Sequence, residues 1–260
     1  MRSAHQQYTE ELRQKFGYHA TWNPGLPLQL GDIGIFRDNI FTRLSNLRDQ
    51  GIAFEVRKDP TKTPLEHQTE GSISVTTKLS GTAAPAGSVL TRADAGIIVE
   101  FSREHATLFK AVNTTSPSIK DAIGVGEQVL KLYRAGKWNK KWVVITELVK
   151  AESATIIISN STDGKIELKA NVRIDKPGLD ISDAGIQWST RFSRGLETRI
   201  ISAEGLTPLF RIMGMKSRIF MPPVFAATQV DPFDLVTPET ARKRYRPDLY
   251  FGHIDAGGMV

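Results

Sequence analysis

The chain has 260 residues, 40% hydrophobic and 24% charged, which suffices for one large core or two small ones and is far from a disordered composition. It contains no cysteine, which excludes disulfides, thiolate zinc sites and cysteine nucleophiles and fits a reducing, cytoplasmic setting. The formal charge of +6 is compatible with nucleic acid, anionic lipid or acidic partners, and reads first as a solvated surface with a modest basic bias. The excess is spread along the chain, with denser patches at residues 191–218 and 242–246.

The first residues, Met1-Arg2-Ser3-Ala4-His5, carry no apolar segment of the secretory kind. No run approaches the ~18 apolar residues of a spanning helix, so a membrane role would fall to strands or to surface binding. Residues 3–16 read as an amphipathic helix with Tyr8, Leu12 and Phe16 on one side, ended by Gly17. After a loop at Asn23-Pro24-Gly25, residues 28–36 and 40–44 read as strands around the tight turn Arg37-Asp38-Asn39. Residues 52–57 alternate as a further strand, and the two prolines of 59–70 read as an exposed loop. Residues 71–79 and 96–101 read as strands on either side of a small, flexible stretch at 81–87.

Two helices are expected next, at 102–112 and at 118–134, the second with Ile119, Ile123, Leu130 and Tyr133 on a common side and weakened by Gly124 and Gly126. The longest β region follows. Residues 142–159 and 165–175 flank Asn160-Ser161-Thr162-Asp163-Gly164, whose Asp-Gly pair is a strong turn signal. In the second arm Ile166, Leu168, Ala170, Val172 and Ile174 point one way, and Lys165, Glu167, Lys169, Asn171, Arg173 and Asp175 the other. If the two arms pair with Ile158 opposite Lys165, the hairpin has one apolar face, carried on the second arm by Ile166, Leu168, Ala170, Val172 and Ile174, and one polar face that Ile156 and Ile158 interrupt. The apolar face would insert into a membrane or, as the alternation alone favours, cover the core of a soluble sheet. More strands are expected at 186–192, 196–202 and 207–213. The pattern predicts an α+β protein with a twisted, mainly antiparallel β-sheet and flanking helices. Residues 1–221 form its domain, and a proline-interrupted but apolar tail, 222–260, packs upon it.

Chemistry-bearing motifs are absent from this reading. The five histidines are scattered without metal-ligand spacing, and Gly124-Val125-Gly126-Glu127 lacks the third glycine of a dinucleotide fingerprint. No Walker A, nucleophile-elbow or kinase signature occurs. The expectation is a non-enzymatic protein without cofactor or metal. Lys137-Trp138-Asn139-Lys140-Lys141-Trp142 interleaves cations and aromatics, but it reads better as a helix-to-strand connection than as a nucleic-acid surface. The basic cluster Arg242, Lys243, Arg244 and Arg246 suits lipid headgroups or, equally, a solvated helix end.

One order of features resembles a known family. Glu70-Gly71-Ser72-Ile73-Ser74-Val75 precedes a small-residue stretch and the strand Gly96-Ile97-Ile98-Val99-Glu100-Phe101. A helical connection, Gly136 and Trp142-Val143-Val144-Ile145-Thr146-Glu147-Leu148-Val149 follow, and later the strand–small turn–strand Glu197-Thr198-Arg199-Ile200-Ile201-Ser202-Ala203-Glu204-Gly205-Leu206-Thr207-Pro208-Leu209-Phe210-Arg211-Ile212. Over residues 71–213 this resembles the pore-forming domain of gasdermins, nearest in length to single-domain fungal gasdermin-like proteins. The resemblance implies a sheet that opens into membrane-spanning β-hairpins and oligomerises on anionic lipid in regulated cell death. Two departures stand out: there is no lipidated cysteine of the bacterial kind, and no large inhibitory domain of the animal kind. The alternative expectation is a non-enzymatic binding or interaction protein on the same strand-rich scaffold.

Overall fold

The computed structural model describes residues 3–78, 96–170, 180–183, 185–217 and 249–253. The chain begins with helix α1 (Ala4–Phe16), entered through a capping box in which Ser3 and Gln6 satisfy each other's backbone and left through Gly17 in the left-handed conformation. Strands β1 (His19–Ala20), β2 (Asp32–Arg37) and β3 (Ile40–Asn46) follow. The last two form the expected hairpin, turned by Asp38 and Asn39 with φ of 51° and 63°. Next come β4 (Val56–Arg57), β5 (Thr63–Gln68), β6 (Ile73–Lys78), β7 (Gly96–Phe101), β8 (Thr107–Thr114) and β9 (Ser118–Ile119), then helix α2 (Ala122–Arg134). The remainder is β10 (Trp142–Val149), β11 (Ser153–Ser159), β12 (Lys165–Ala170), β13 (Trp188–Arg194), β14 (Leu196–Glu204), β15 (Leu209–Ser217) and β16 (Leu249–His253). All pairings among the described strands are antiparallel, and strands far outweigh the two α-helices.

Several expected elements differ. Of residues 102–112, expected as a helix, 107–112 belong to β8, which hydrogen-bonds on both edges to β5 and β11. Residues 59–70, expected as a loop, contain β5, where Pro64 is tolerated because the strand lies at a sheet edge. The strand expected at 52–57 shrinks to Val56–Arg57. The second helix starts at 122, not 118, because Ser118 and Ile119 pair with Glu147 and Val56. Asp121 caps it by accepting from Gly124 N–H at 2.8 Å, so the glycine of the truncated fingerprint serves a helix start. Its buried side is Val125, Gly126 and Val129, while Ile123, assigned to the inner stripe, is 79% exposed.

The described strands form three sheets. The first carries the order β1-β15-β10-β2-β3, with β16 on β15, β9 on β10 and β4 on β9. Its two faces bury different cores: Val125 and Val129 of α2 pack with Ile33 and Val144, whereas Phe36, Phe41, Phe210 and Ile212 pack on the other side. The five tail residues Leu249–His253 add a strand to this sheet. The second sheet is β14-β11-β8-β5 and the third β13-β12-β7-β6. One face of the second sheet holds α1 through Tyr8, Leu12, Phe109, Ala154 and Ile156. Its other face, with Leu108 and Ile157, packs on Ile97, Val99, Phe101, Ile166 and Leu168 of the third. The second sheet is therefore a middle layer, and β11 is buried at every position.

Candidate functional site

The residues expected to form one membrane-inserting face are Ile166, Leu168, Ala170, Val172 and Ile174. Ile166, Leu168 and Ala170 lie side by side on β12, each 5% exposed or less, facing the core they share with the second sheet. Val172 and Ile174 lie outside the described residues, as do Arg242, Lys243, Arg244 and Arg246 and the stretch 81–87. On the opposite face of β12, Lys165 Nζ lies 2.9 Å from Glu100 on β7 and 3.4 Å from Glu167. The alternation read from the sequence is thus a real division between an apolar and a charged face.

The pairing expected for that strand does not form. β11 is hydrogen-bonded on its two edges to β8 and β14, and β12 to β7 and β13, so neither has an edge left for the other. Residues 160–164 carry the chain from the second sheet to the third instead of closing a hairpin.

Three more connections make the same crossing at the same end. Residues 69–72 join β5 to β6, residues 102–106 join β7 to β8, and Gly195 alone joins β13 to β14. The second sheet runs β14-β11-β8-β5 and the third β13-β12-β7-β6, so each strand of one continues into the matching strand of the other. The ladders also match across the bend: Ser159 faces Leu196 and Lys165 faces Arg194, while Ile158 faces Thr107 and Lys165 faces Glu100. The two sheets are the near and far halves of four long strands, folded double so that their apolar faces meet.

The bend is stitched by backbone bonds between connections. Asn160 N–H donates to Gly195 O at 2.9 Å, Ser102 N–H to Ser72 O at 3.0 Å, and His105 N–H to Ser159 O at 3.1 Å. Gly195 has φ of 60°, and a Cβ there would lie 2.4 Å from Ser161 Oγ. Only glycine passes this crossing without strain.

Opposite the bend, residues 180–183, which lie in the connection from β12 to β13, return to the second sheet. Lys110 Nζ on β8 donates to Asp180 Oδ2 at 3.1 Å. Ile181 is buried in the core between the sheets, and its carbonyl accepts from Thr155 Oγ1 of β11 at 2.8 Å. The Asp183 carbonyl accepts from Ser202 Oγ of β14 at 2.7 Å. Ser202 sits in a bulge where the β11–β14 ladder slips, with φ of 50°, and its N–H donates to Thr155 Oγ1 at 2.9 Å. Burial disfavours the Asp180 carboxylate, but bonds from the Ser182 hydroxyl and N–H and from Lys110 outweigh it and hold the carboxyl below its ordinary value. No sequence signal marked this segment, whose partners are 19 to 70 residues away in the chain.

Among the described residues, no group of three or more His, Asp or Glu side chains converges as a metal site would, and no helix is long and apolar enough to cross a membrane. A scan against protein-family models gives no match, and neither does a search of curated proteins.

Proposed function

We propose that the chain is a gasdermin-like, membrane-perforating protein whose third sheet inserts into the bilayer and which assembles with further copies of itself on anionic lipid. The observation that carries this reading is the doubled sheet. Straightened at the bend, the four strands would run over residues 63–78, 96–114, 153–170 and 188–204 as two long hairpins, β5–β8 and β11–β14. Each of the four runs is 16 residues or longer against the ~9–11 of a tilted membrane strand, of which the described part of the third sheet supplies six or seven. The third-sheet half of the apolar face now buried between the layers would meet hydrocarbon, and Glu100, Lys165, Glu167 and Lys169 would face water, the apolar-out, polar-in arrangement of membrane barrels.

Among the described residues the four-stranded ribbon leaves two open edges, β5–β6 and β13–β14, and open edges are not tolerated in hydrocarbon. Closure by other copies of the chain removes them, which makes the active form an oligomer. The net charge of +6 favours an anionic surface.

The test is release of an encapsulated dye from vesicles of anionic or of neutral phospholipid. Concentration-dependent release from the anionic vesicles is expected, with little from the neutral ones. Absence of release from both would overturn the reading.

A further inference from the structure

Two ends hold the doubled sheet closed. One is the bend itself. The other is the return of residues 180–183, at the far end of the third sheet, onto β8, β11 and β14 of the second. The strand ends farthest from the bend are Ala170 and Trp188 in the third sheet and Ser153 and Glu204 in the second. The returning segment starts from the first pair and bonds near the second, at Thr155 and Ser202.

We infer that Asp180–Asp183 is a clasp that keeps the third sheet folded on the second, and that its release is the controlling step before the strands straighten. The inference rests on the perforating role proposed above.

The chemistry of the contact fits a catch more than a core. Among the described residues, Ile181 supplies one buried apolar side chain, and the other anchors are hydrogen bonds and a single ion pair. Such contacts hold firmly when all are made and lose strength together when one partner goes, because the others then face water. The Thr155 hydroxyl is the centre: it accepts from Ser202 N–H and donates to Ile181 O, tying bulge and clasp through one atom. Lys110 is pinned between Asp180 at 3.1 Å and Glu66 at 3.5 Å, so the ion pair is anchored in the middle layer. A bulge that breaks the β11–β14 ladder where the clasp lands also frees the Ser202 hydroxyl to bond outside the sheet.

The experiment uses the full chain and compares wild type with Thr155→Val, Lys110→Met and Asp180→Asn. Backbone amide exchange is followed element by element, and dye release from anionic vesicles is measured on the same preparations. Thr155→Val removes a buried hydroxyl; the two charge variants act near the surface and guard against a folding defect. The expected result is exchange about tenfold or more faster in β12 and β13, with the first sheet and α2 unchanged, accompanied by faster release.

Unchanged exchange in β12 and β13 across all three variants overturns the clasp, whatever the vesicles show. Exchange that rises equally in the first sheet also overturns it, since the contact would then be ordinary stability. Faster local exchange, with release no faster than a wild type that does release, removes the clasp from control of perforation. Faster local exchange with no release from any form leaves the clasp standing as a restraint on the third sheet and overturns the perforating role.

Discussion

His67 on β5 and Glu11 on α1, 56 residues apart, meet at 2.9 Å between Nε2 and Oε2. The same carboxylate oxygen accepts from Thr69 at 2.8 Å, and Gln7 donates to the other oxygen at 2.9 Å. Burial works against the Glu11 carboxylate, but bonds from His67, Gln7 and Thr69 outweigh it and hold the carboxyl below its ordinary value. A carboxyl depressed in the folded state contributes stability above its unfolded pKa, ~4.3, and loses it as pH falls through the folded value. Urea midpoints of wild type and Glu11→Gln should therefore differ most at neutral pH and converge below about pH 4. A difference that stays constant on acidification would remove Glu11 from the docking of α1.

Beside that contact, Tyr8 is fully buried, its ring 5.8 Å from that of Trp22, and its hydroxyl has no hydrogen-bond partner among the described residues. Burial pushes the phenol far above its ordinary value. The ring stabilises and the hydroxyl does not, so Tyr8→Phe should leave stability unchanged or raise it. Tyr8→Ala should cost ~3–5 kcal/mol through the cavity left between α1 and the second sheet. Denaturant titration checks both, and a large loss in Tyr8→Phe would mean that the hydroxyl is satisfied after all.

The bend can be tested with two glycines of similar backbone. Gly195 and Gly205 have φ of 60° and 68°, but a Cβ at Gly205 meets nothing within 4 Å, whereas at Gly195 it meets Ser161 Oγ and Gly164 Cα. Gly205→Ala should cost only the left-handed backbone, about 1–2 kcal/mol. Gly195→Ala should cost more, because the crossings at 160–164 and 195 must part to admit the methyl group. Equal losses in thermal unfolding would mean that the crossings are loosely packed.

What could be read from the sequence follows from what each strand touches. The Asp38-Asn39 hairpin was legible because both turn residues and both strands are local. β12 was legible because one face is buried and the other solvated, which leaves the two-residue alternation intact. β8 does not show as a strand for the opposite reason: as a middle strand of the middle layer it buries Leu108 on one face and Phe109 and Ala111 on the other, and alternation disappears. β5 carries little strand signal because Pro64 and its polar residues suit an edge, and its inward residues, Leu65 and His67, are only half-buried.

The site was half legible. The apolar face of Ile166, Leu168 and Ala170 could be seen, but the Asp163-Gly164 turn reads alike whether it closes a hairpin or carries a strand to another layer. Edge occupancy decides between these, and it depends on β7, β8, β13 and β14, which lie far away in the chain. The clasp left no local trace, since Thr155 and Ser202 look like ordinary strand residues until the bulge brings them to Ile181 and Asp183.

The proposed opening makes unequal demands on the two sides of one core. Leu108 belongs to the second sheet and Leu168 to the third, and both are buried in the same interlayer cluster. Leu108→Ala and Leu168→Ala should therefore destabilise the folded chain alike, by about 2–5 kcal/mol. Their effect on membranes should diverge. Loss of Leu108 weakens the hold of the middle layer on the third sheet and leaves intact every residue that would meet lipid. Loss of Leu168 weakens the same hold but also strips apolar surface from the inserted strand, at about 0.8 kcal/mol per buried CH₂. Dye release from anionic vesicles should then be faster than wild type for Leu108→Ala, and slower for Leu168→Ala than for Leu108→Ala at matched stability. Urea titration of both variants supplies the match. Release that simply tracks stability, with no difference between the two sides, would mean that the third sheet does not enter the bilayer by this face.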